Sequence, residues 1–460
     1  MAGGLLSNRA GALALGPALA AIAFGLALHF DLPRAAAWTA AVTALCATWW
    51  VLEPIPIPAT SLLPFAAFPL LGVVDHGQVA TAYGHTLILL LLGGFMISTA
   101  LEKSGAHRRL ALGMVRLVGA RSGRRLVLGF MLATGLSSMW ISNTASVLMM
   151  LPVALALLER DDGSLGPPLL LGMAYAASIG GLGTPIGTPP NVIFMGVYRE
   201  VTGREVSFLD WMRIGVPVVV ILLPVAWWVV TRRLSARLQL TLPTVGPWHA
   251  SERRVLIAFA LTALAWITRT EPFGGWAGLL GITGASDSTV ALAAATLLFL
   301  VPDGRGGALL DWPTAAKIPW GLLLLFGGGI ALARGFEESG LSKALGQALA
   351  GVAALPVFVM VLGICLAVTF LTEVTSNTAT ATLLMPVLAA TALGVGVEPA
   401  LLMIPAALSA SCAFMLPVAT APNAIVFGTE RVTSRRMAST GLLLNLLGAL
   451  IVSVVCVALL

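Results

Sequence analysis

Charge is what this sequence has least of. Only 10% of its 460 residues are Asp, Glu, Lys or Arg, against 58% hydrophobic, where a soluble chain carries roughly a quarter charged residues. That composition excludes an ordinary water-facing surface. The mean hydropathy of +0.96 places the chain in lipid, with no room expected for a separate soluble domain. Cysteine is scarce too: Cys46, Cys365, Cys412 and Cys456 sit in apolar runs without paired spacing, so they read as packing residues rather than a disulfide or metal framework. No His/Cys cluster has metal-ligand spacing, and no nucleophile or acid/base pair marks an enzyme. The net charge of +6 is not a nucleic-acid signature, because the basic residues gather in short connections beside apolar spans, where they set topology.

What the chain has is apolar length. A crossing needs roughly 20 apolar residues, and such stretches fall at about 11–30, 35–51, 55–73, 84–101, 126–158, 168–198, 212–231, 254–268, 288–301, 320–334, 355–392, 397–428 and 438–460. The first outlasts a signal-peptide core of roughly 7–15 residues, although Ala18-Leu19-Ala20 mimics a cleavage site. It is read as the first transmembrane helix. Several later stretches are too long for one crossing and too rich in Gly, Pro and Ser for an unbroken helix. Three basic groups belong on the cytoplasmic side: Lys103, Arg108, Arg109, Arg116, Arg121, Arg124 and Arg125; Arg232, Arg233, Arg237, Arg253 and Arg254; and Arg431, Arg435 and Arg436. They share that side if 126–158 and 355–392 are re-entrant hairpins. The acidic patch Glu159-Arg160-Asp161-Asp162 falls there as well and weighs little. The expected fold is an all-α polytopic membrane protein with about eleven transmembrane helices, two re-entrant hairpins, a cytoplasmic N-terminus and an external C-terminus. Tryptophans such as Trp49 and Trp50 read as an interface belt.

The sequence also repeats itself. GGFMISTALEKSG at 93–105 returns as GGIALARGFEESG at 328–340, SNTASVLMMLP at 142–152 as SNTATATLLMP at 376–386, and GTPPN at 187–191 as ATAPN at 419–423. The order and spacing are kept. An odd number of crossings between the two hairpins gives the copies opposite orientation, and inverted repeats characterise secondary transporters that bind cargo where the repeats meet. The organisation expected is N-terminal scaffold helices over 1–83, a first inverted repeat over 84–232, linking helices over 233–319 and a second inverted repeat over 320–460.

Irregular backbone at membrane depth is tolerated only when buried in protein or lining a wet cavity. Each repeat has two such places. Ser142-Asn143-Thr144 and Ser376-Asn377-Thr378 favour a turn and a helix start, so each forms a hairpin tip whose free N–H groups suit an anion. GGLGTPIGTPPN at 180–191 and LPVATAPN at 416–423 break a helix with proline and glycine, freeing carbonyls that suit an alkali cation. Ser138 and Thr372, one turn before each tip, add hydroxyl oxygen. No Lys or Arg lies within these motifs, so a bound dianion needs compensation from elsewhere, and co-bound sodium supplies it. Glu373, beside the second tip, reads as a charge near a cation site, a proton carrier, or a hydrogen-bonded support of the tip. His85, at a span entrance, reads as interfacial or as a proton relay.

These residues resemble the divalent-anion/sodium symporter (DASS) family, whose members carry dicarboxylates, citrate or sulfate. The resemblance rests on both SNT triplets, IGTPPN, SCAFMLPVATAPNAIVFG, and EPIPIPATSLLPFAAFPLLGV at 53–73, and runs over nearly the whole chain. It implies a homodimer in the bacterial inner membrane, with a scaffold part and an elevator-like transport part. It implies that Ser142, Asn143, Thr144, Ser376, Asn377 and Thr378 contact substrate carboxylates, helped by Thr188 and Thr420. One sodium site is implied at Ser138, Ser142, Asn143 and the Gly187 carbonyl, the other at Thr372, Asn377 and the carbonyls near Thr375 and Ala419. The chain departs from the family pattern at Ala421, where a second proline is usual and the first repeat has Pro189. The second loop is expected to differ in shape there.

The function expected is sodium-coupled symport of a small divalent anion, with a C4-dicarboxylate such as succinate or malate as the cargo. Sulfate or citrate symport, a sodium-independent exchanger of the same fold, and a transporter-like membrane sensor are the alternatives.

Overall fold

The computed structural model describes residues 9–119, 122–159, 164–234, 246–282, 284–348 and 356–460. Arg121, Arg160, Asp161, Asp162 and Arg237, placed on the cytoplasmic side from sequence, lie outside these residues. The described residues are helical throughout, apart from turns and one isolated bridge between Pro302 and Ala308. Among the described residues, seven helices are long and apolar enough to cross a bilayer unaided. Six of them read as crossings: Arg9–His29, Arg34–Leu52, Thr86–Ser104, Phe208–Thr231, Trp320–Glu338 and Ser434–Leu459. The seventh, Asn377–Val395, starts at the second tip and is the return arm of a hairpin. Ala250–Ile267 and the shorter Asp287–Leu300 join the crossings, with three broken helices: Ile57–Thr60 with Leu63–Leu70, Gly166–Gly181 with Pro189–Thr202, and Ala400–Ser409 with Ala421–Phe427. Together they make eleven among the described residues.

The repeat is visible element by element. Thr86–Ser104 corresponds to Trp320–Glu338, Gly123–Ser138 to Val357–Leu371, Asn143–Leu158 to Asn377–Val395, and Phe208–Thr231 to Ser434–Leu459. The shared SG ending of the first motif has a backbone cause. Gly105 and Gly340, just past the ends of those corresponding helices, have φ of 77° and 76°, a left-handed conformation that glycine adopts without a Cβ penalty.

Packing between the copies is reciprocal. The tip helix Asn143–Leu158 packs on the second broken helix at Ala421–Phe427, and the tip helix Asn377–Val395 packs on the first at Pro189–Thr202. Phe208–Thr231 packs directly on its own counterpart, Ser434–Leu459. Contacts that return with the roles exchanged are the mark of a two-fold relationship. The reciprocity reaches further than the sequence motifs do. Asp287–Leu300 packs on Thr86–Ser104, while the broken helix Ile57–Thr60 with Leu63–Leu70 packs on Trp320–Glu338, so helices within 1–83 and 233–319 hold equivalent positions.

The interface-belt reading of the tryptophans needs correction. Trp50, Trp211 and Trp266 are each 1% exposed. Their indole N–H groups donate to Ser61 Oγ, the Leu182 carbonyl and the Asp287 carbonyl, each at 2.9 Å. A buried indole needs such a partner, and here each one ties a loop or cap to a helix. Trp228, Trp248, Trp312 and Trp320 are exposed and fit a belt. The four cysteines are buried with free thiols.

Candidate functional site

The tips form as their residue types dictate. Ser142 and Ser376 stand at the N-caps of Asn143–Leu158 and Asn377–Val395, with φ, ψ of −57°, 146° and −65°, 133°. The Ser142 hydroxyl accepts the Ala145 N–H at 3.1 Å, while Thr375 and Thr380 share a hydroxyl contact of 2.6 Å in the second tip. The broken helices restart in the same way: Thr188 and Thr420 are N-caps with φ, ψ of −148°, 144° and −141°, 152°. Proline at the start of each following helix is tolerated because the first N–H groups of a helix have no intrahelical acceptor.

All four irregular segments open onto one cavity of about 720 Å³. Ser142, Asn143, Thr144, Gly187, Thr188 and Thr375 line it. So do Ser376, Asn377, Thr378, Ala419 and Thr420. Ser138 and Thr372 do not reach the surface. They are fully buried behind the tips, where Ser138 donates to Asn143 Oδ1 at 2.6 Å and Thr372 donates to Asn377 Oδ1 at 2.8 Å. Thr372 also lies 2.9 Å from the Ala410 carbonyl. In each repeat, therefore, one hydroxyl and one amide oxygen converge beside a broken helix.

Gly181 completes that arrangement in the first repeat, and the motif reading gave it no individual role. A Cβ there would lie 2.9 Å from Asn143 Oδ1 and 3.1 Å from the Gly187 carbonyl, so its hydrogen keeps a small oxygen-lined space open. The motifs assign no role to Asn191 and Asn423 either, the last residues of GTPPN and ATAPN. Asn191 donates to the carbonyls of Gly181 and Thr184 at 2.9 and 2.8 Å. Asn423 donates to those of Ala413 and Leu416 at 3.1 and 3.0 Å. Each amide closes the gap in its own broken helix, and the Oδ1 of each is buried without a partner. Close approach of the neighbouring helices is the other requirement. A Cβ on Gly215 would sit 2.3 Å from the Leu182 carbonyl, and one on Gly441 would sit 2.1 Å from that of Phe414.

Glu373 is the support among its three readings. Its Oε1 accepts the N–H groups of Phe414 and Met415 at 2.7 and 2.8 Å and the Asn445 amide at 2.8 Å, and its Oε2 accepts Leu416 N–H at 2.9 Å. This carboxylate stands in for backbone acceptors that the break in the second helix removed. Its counterpart position, Met139, uses its backbone carbonyl to accept the Thr184 hydroxyl. His85 caps Thr86–Ser104, its Nδ1 accepting Leu87 N–H at 3.3 Å. Ala421 occupies the first helical position that Pro189 holds in the other repeat. It lines the cavity and retains an N–H that proline lacks.

Part of the cavity lining comes from outside the motifs and is not legible in them. Glu53, Glu102 and Lys317 belong to it. The absence of Lys and Arg thus holds for the motifs but not for the cavity. Lys317 is exposed, and no carboxylate among the described residues pairs with it. The share of the lining that the tips build is neutral and hydroxyl-rich, and the share from outside the motifs carries charge.

Residues 47–402 match a family model described as citrate transporter (CitMHS). The chain is 42% identical over 470 residues to the sodium-dependent dicarboxylate transporter SdcS of Staphylococcus saprophyticus, covering 96% of this chain and 90% of that protein. The SdcS protein of Staphylococcus aureus is 41% identical over 474 residues, covering 96% and 89%. Among solved structures, the YdaH transporter of Alcanivorax borkumensis aligns with a TM-score of 0.59 at 18% identity over 82% of this chain and 86% of that one. MtrF of Neisseria gonorrhoeae aligns with a TM-score of 0.58 at 13% identity over 84% and 83%. At those identities the likeness concerns the fold.

Proposed function

Because this chain belongs to the citrate-transporter family and is 41–42% identical to sodium-dependent dicarboxylate transporters, as its resemblance to the divalent-anion/sodium symporters implies, we propose that it carries a C4-dicarboxylate such as succinate or malate together with sodium ions. It is a membrane transporter and not an enzyme. The observation that carries the cargo reading is the convergence of both SNT tips and both broken helices on one cavity.

Asn143, Thr144, Asn377 and Thr378, with Ser142, Ser376, Thr188 and Thr420, are the donors offered to the two carboxylates. Helix N-termini at both tips add N–H groups and favourable dipoles. Ala421 supplies one more N–H, which gives the second half of the site an extra donor. Sodium is cargo here. Ser138, Ser142, Asn143 and the Gly187 carbonyl suit the first ion, and Thr372, Asn377 and the carbonyls of Thr375 and Ala419 suit the second. Both sets consist of hard neutral oxygens, the ligand type that alkali cations take. Each ion would share its asparagine with the dianion, so ion binding builds the charge that the dianion needs. Lys317 lines the same cavity beside Glu53 and Glu102 and offers a cation to one carboxylate of the dianion.

The scaffold and transport parts, an elevator-type movement between them, a homodimer, a cytoplasmic N-terminus and a place in the bacterial inner membrane belong to the same proposal. The reciprocal packing of the repeats supports alternating access, since a two-fold pair has two equivalent tilts around a shared site. The test is competition for uptake of labelled succinate by the purified chain in liposomes, with malate, citrate and sulfate as competitors. Malate should compete best. Stronger inhibition by citrate or sulfate would reassign the cargo.

A further inference from the structure

A second cavity, of about 700 Å³, opens at the end of the bundle that the charge pattern assigns to the cytoplasm. It lies where the C-terminal end of Phe208–Thr231 meets the start of its counterpart, Ser434–Leu459. Its rim carries Arg232, Arg233, Arg435 and Arg436, and its floor is apolar, from Pro168, Leu171, Val229 and Val230. We propose that this cavity binds a phosphate-bearing anion, with the headgroup of an anionic phospholipid as its occupant.

Several other basic residues on this side are engaged by the protein, and Arg108, Arg125 and Arg253, which pair with no carboxylate among the described residues, do not line this cavity. Arg109 pairs with Glu252 at 3.0 Å, Lys103 pairs with Asp311 at 2.6 Å, and Arg124 donates to the carbonyls of Leu234 and Arg232. No carboxylate among the described residues pairs with Arg232, Arg233, Arg435 or Arg436, and all four are exposed. The guanidinium of Arg232 lies 5.9 Å from the centre of the Trp228 ring. Topology alone accounts for positive residues near this face. It does not account for four of them converging on one cavity from two helices, where like charges repel.

Nor does the fold require them. At the start of Phe208–Thr231, where the two-fold relation places the counterpart of Arg435 and Arg436, Arg213 is paired with Asp210 and Glu271. The duplicated architecture therefore forms without a cluster of unpaired guanidinium groups.

Phosphoryl oxygens match this rim. Guanidinium groups grip them with two parallel hydrogen bonds. The start of the 26-residue helix Ser434–Leu459, capped by Thr433, contributes N–H groups and a favourable dipole. The apolar floor fits a glycerol backbone and the first acyl carbons, and basic pockets between helices on the cytoplasmic side bind anionic headgroups elsewhere. A soluble phosphate offers the same oxygens without the apolar part.

The test uses the full chain, purified and stripped of lipid in detergent. Retention of cardiolipin, phosphatidylglycerol and phosphatidylcholine is measured by native mass spectrometry, with and without millimolar inorganic phosphate. The variants are Arg232→Gln with Arg233→Gln, Arg435→Gln with Arg436→Gln, and Arg435→Lys with Arg436→Lys. The last pair preserves the positive charge that sets topology and serves as the folding control. The expected result is selective retention of cardiolipin and phosphatidylglycerol that falls about tenfold or more in either Gln pair, as loss of charge-assisted hydrogen bonds entails, and less in the Lys pair. Displacement of these lipids by phosphate, or binding of phosphate alone, would support the anion site with a soluble source. Equal retention in wild type and both Gln pairs, or retention of phosphatidylcholine at the same level, would overturn the proposal.

Discussion

The hydroxyl of Thr188 lies 3.2 Å from that of Ser411, joining the broken region of the first repeat to that of the second. Both groups are buried, and Thr188 also lines the cavity. This contact ties the two loops proposed to bear the cargo groups to each other.

Ser411→Ala should slow uptake while leaving the fold intact, and Thr188→Val should slow it further because a cavity hydroxyl is lost as well. The double variant should show a coupling energy of about 0.5–1.5 kcal/mol, the net worth of one hydrogen bond. A double-mutant cycle on initial uptake rates measures it, and additive effects would mean the contact does not matter.

Gly181→Ala places a methyl group against Asn143 Oδ1 and the Gly187 carbonyl. The half-saturating sodium concentration should rise by roughly tenfold or more, a change of about 1.4 kcal/mol. Succinate affinity at saturating sodium should move less. Sodium titrations of uptake at fixed succinate separate the two, and an unchanged sodium response would remove Gly181 from the ion site.

The fold was largely legible because its causes are local. Apolar length marks crossings, positive charge marks sides, and SNT with its proline loops marks breaks that lipid would not otherwise tolerate. What stayed hidden depends on pairs far apart in the chain. Glu373 became a support only once Phe414, Met415, Leu416 and Asn445 were in place around it. Gly181 reads as one more glycine until Asn143 lies against it. Lys317 sits in a linking segment with no motif, and only tertiary packing brings it to the cavity. The tryptophans misled because an indole fits an interface and a hydrogen-bonded interior equally well.

Asn191→Ala and Asn423→Ala should each lower thermal stability, because two buried carbonyls lose their donor and each costs about 1–3 kcal/mol. Serine at either position should restore part of it. Thermal unfolding of the purified variants reads the loss. The sodium response should weaken as well, since these amides hold the carbonyl ends of both broken helices.

Glu373→Gln replaces an acceptor-only group by one whose NH₂ must face a backbone N–H. The variant should unfold at lower temperature, by an amount matching about 1.5–3 kcal/mol for each charged hydrogen bond lost. Any folded fraction should still couple uptake to sodium. A variant of normal stability that had lost only a pH-gradient response would restore the proton-carrier reading.

The most direct measurement is accumulation of labelled succinate by proteoliposomes under an inward sodium gradient, compared with potassium, for the wild type and for Asn143→Ala and Asn377→Ala. Accumulation with sodium alone, abolished in both variants while each stays folded, is the predicted result. Equal accumulation in potassium, or uptake retained in either variant, would contradict a site in which two mirrored tips hold a dianion and its sodium ions together.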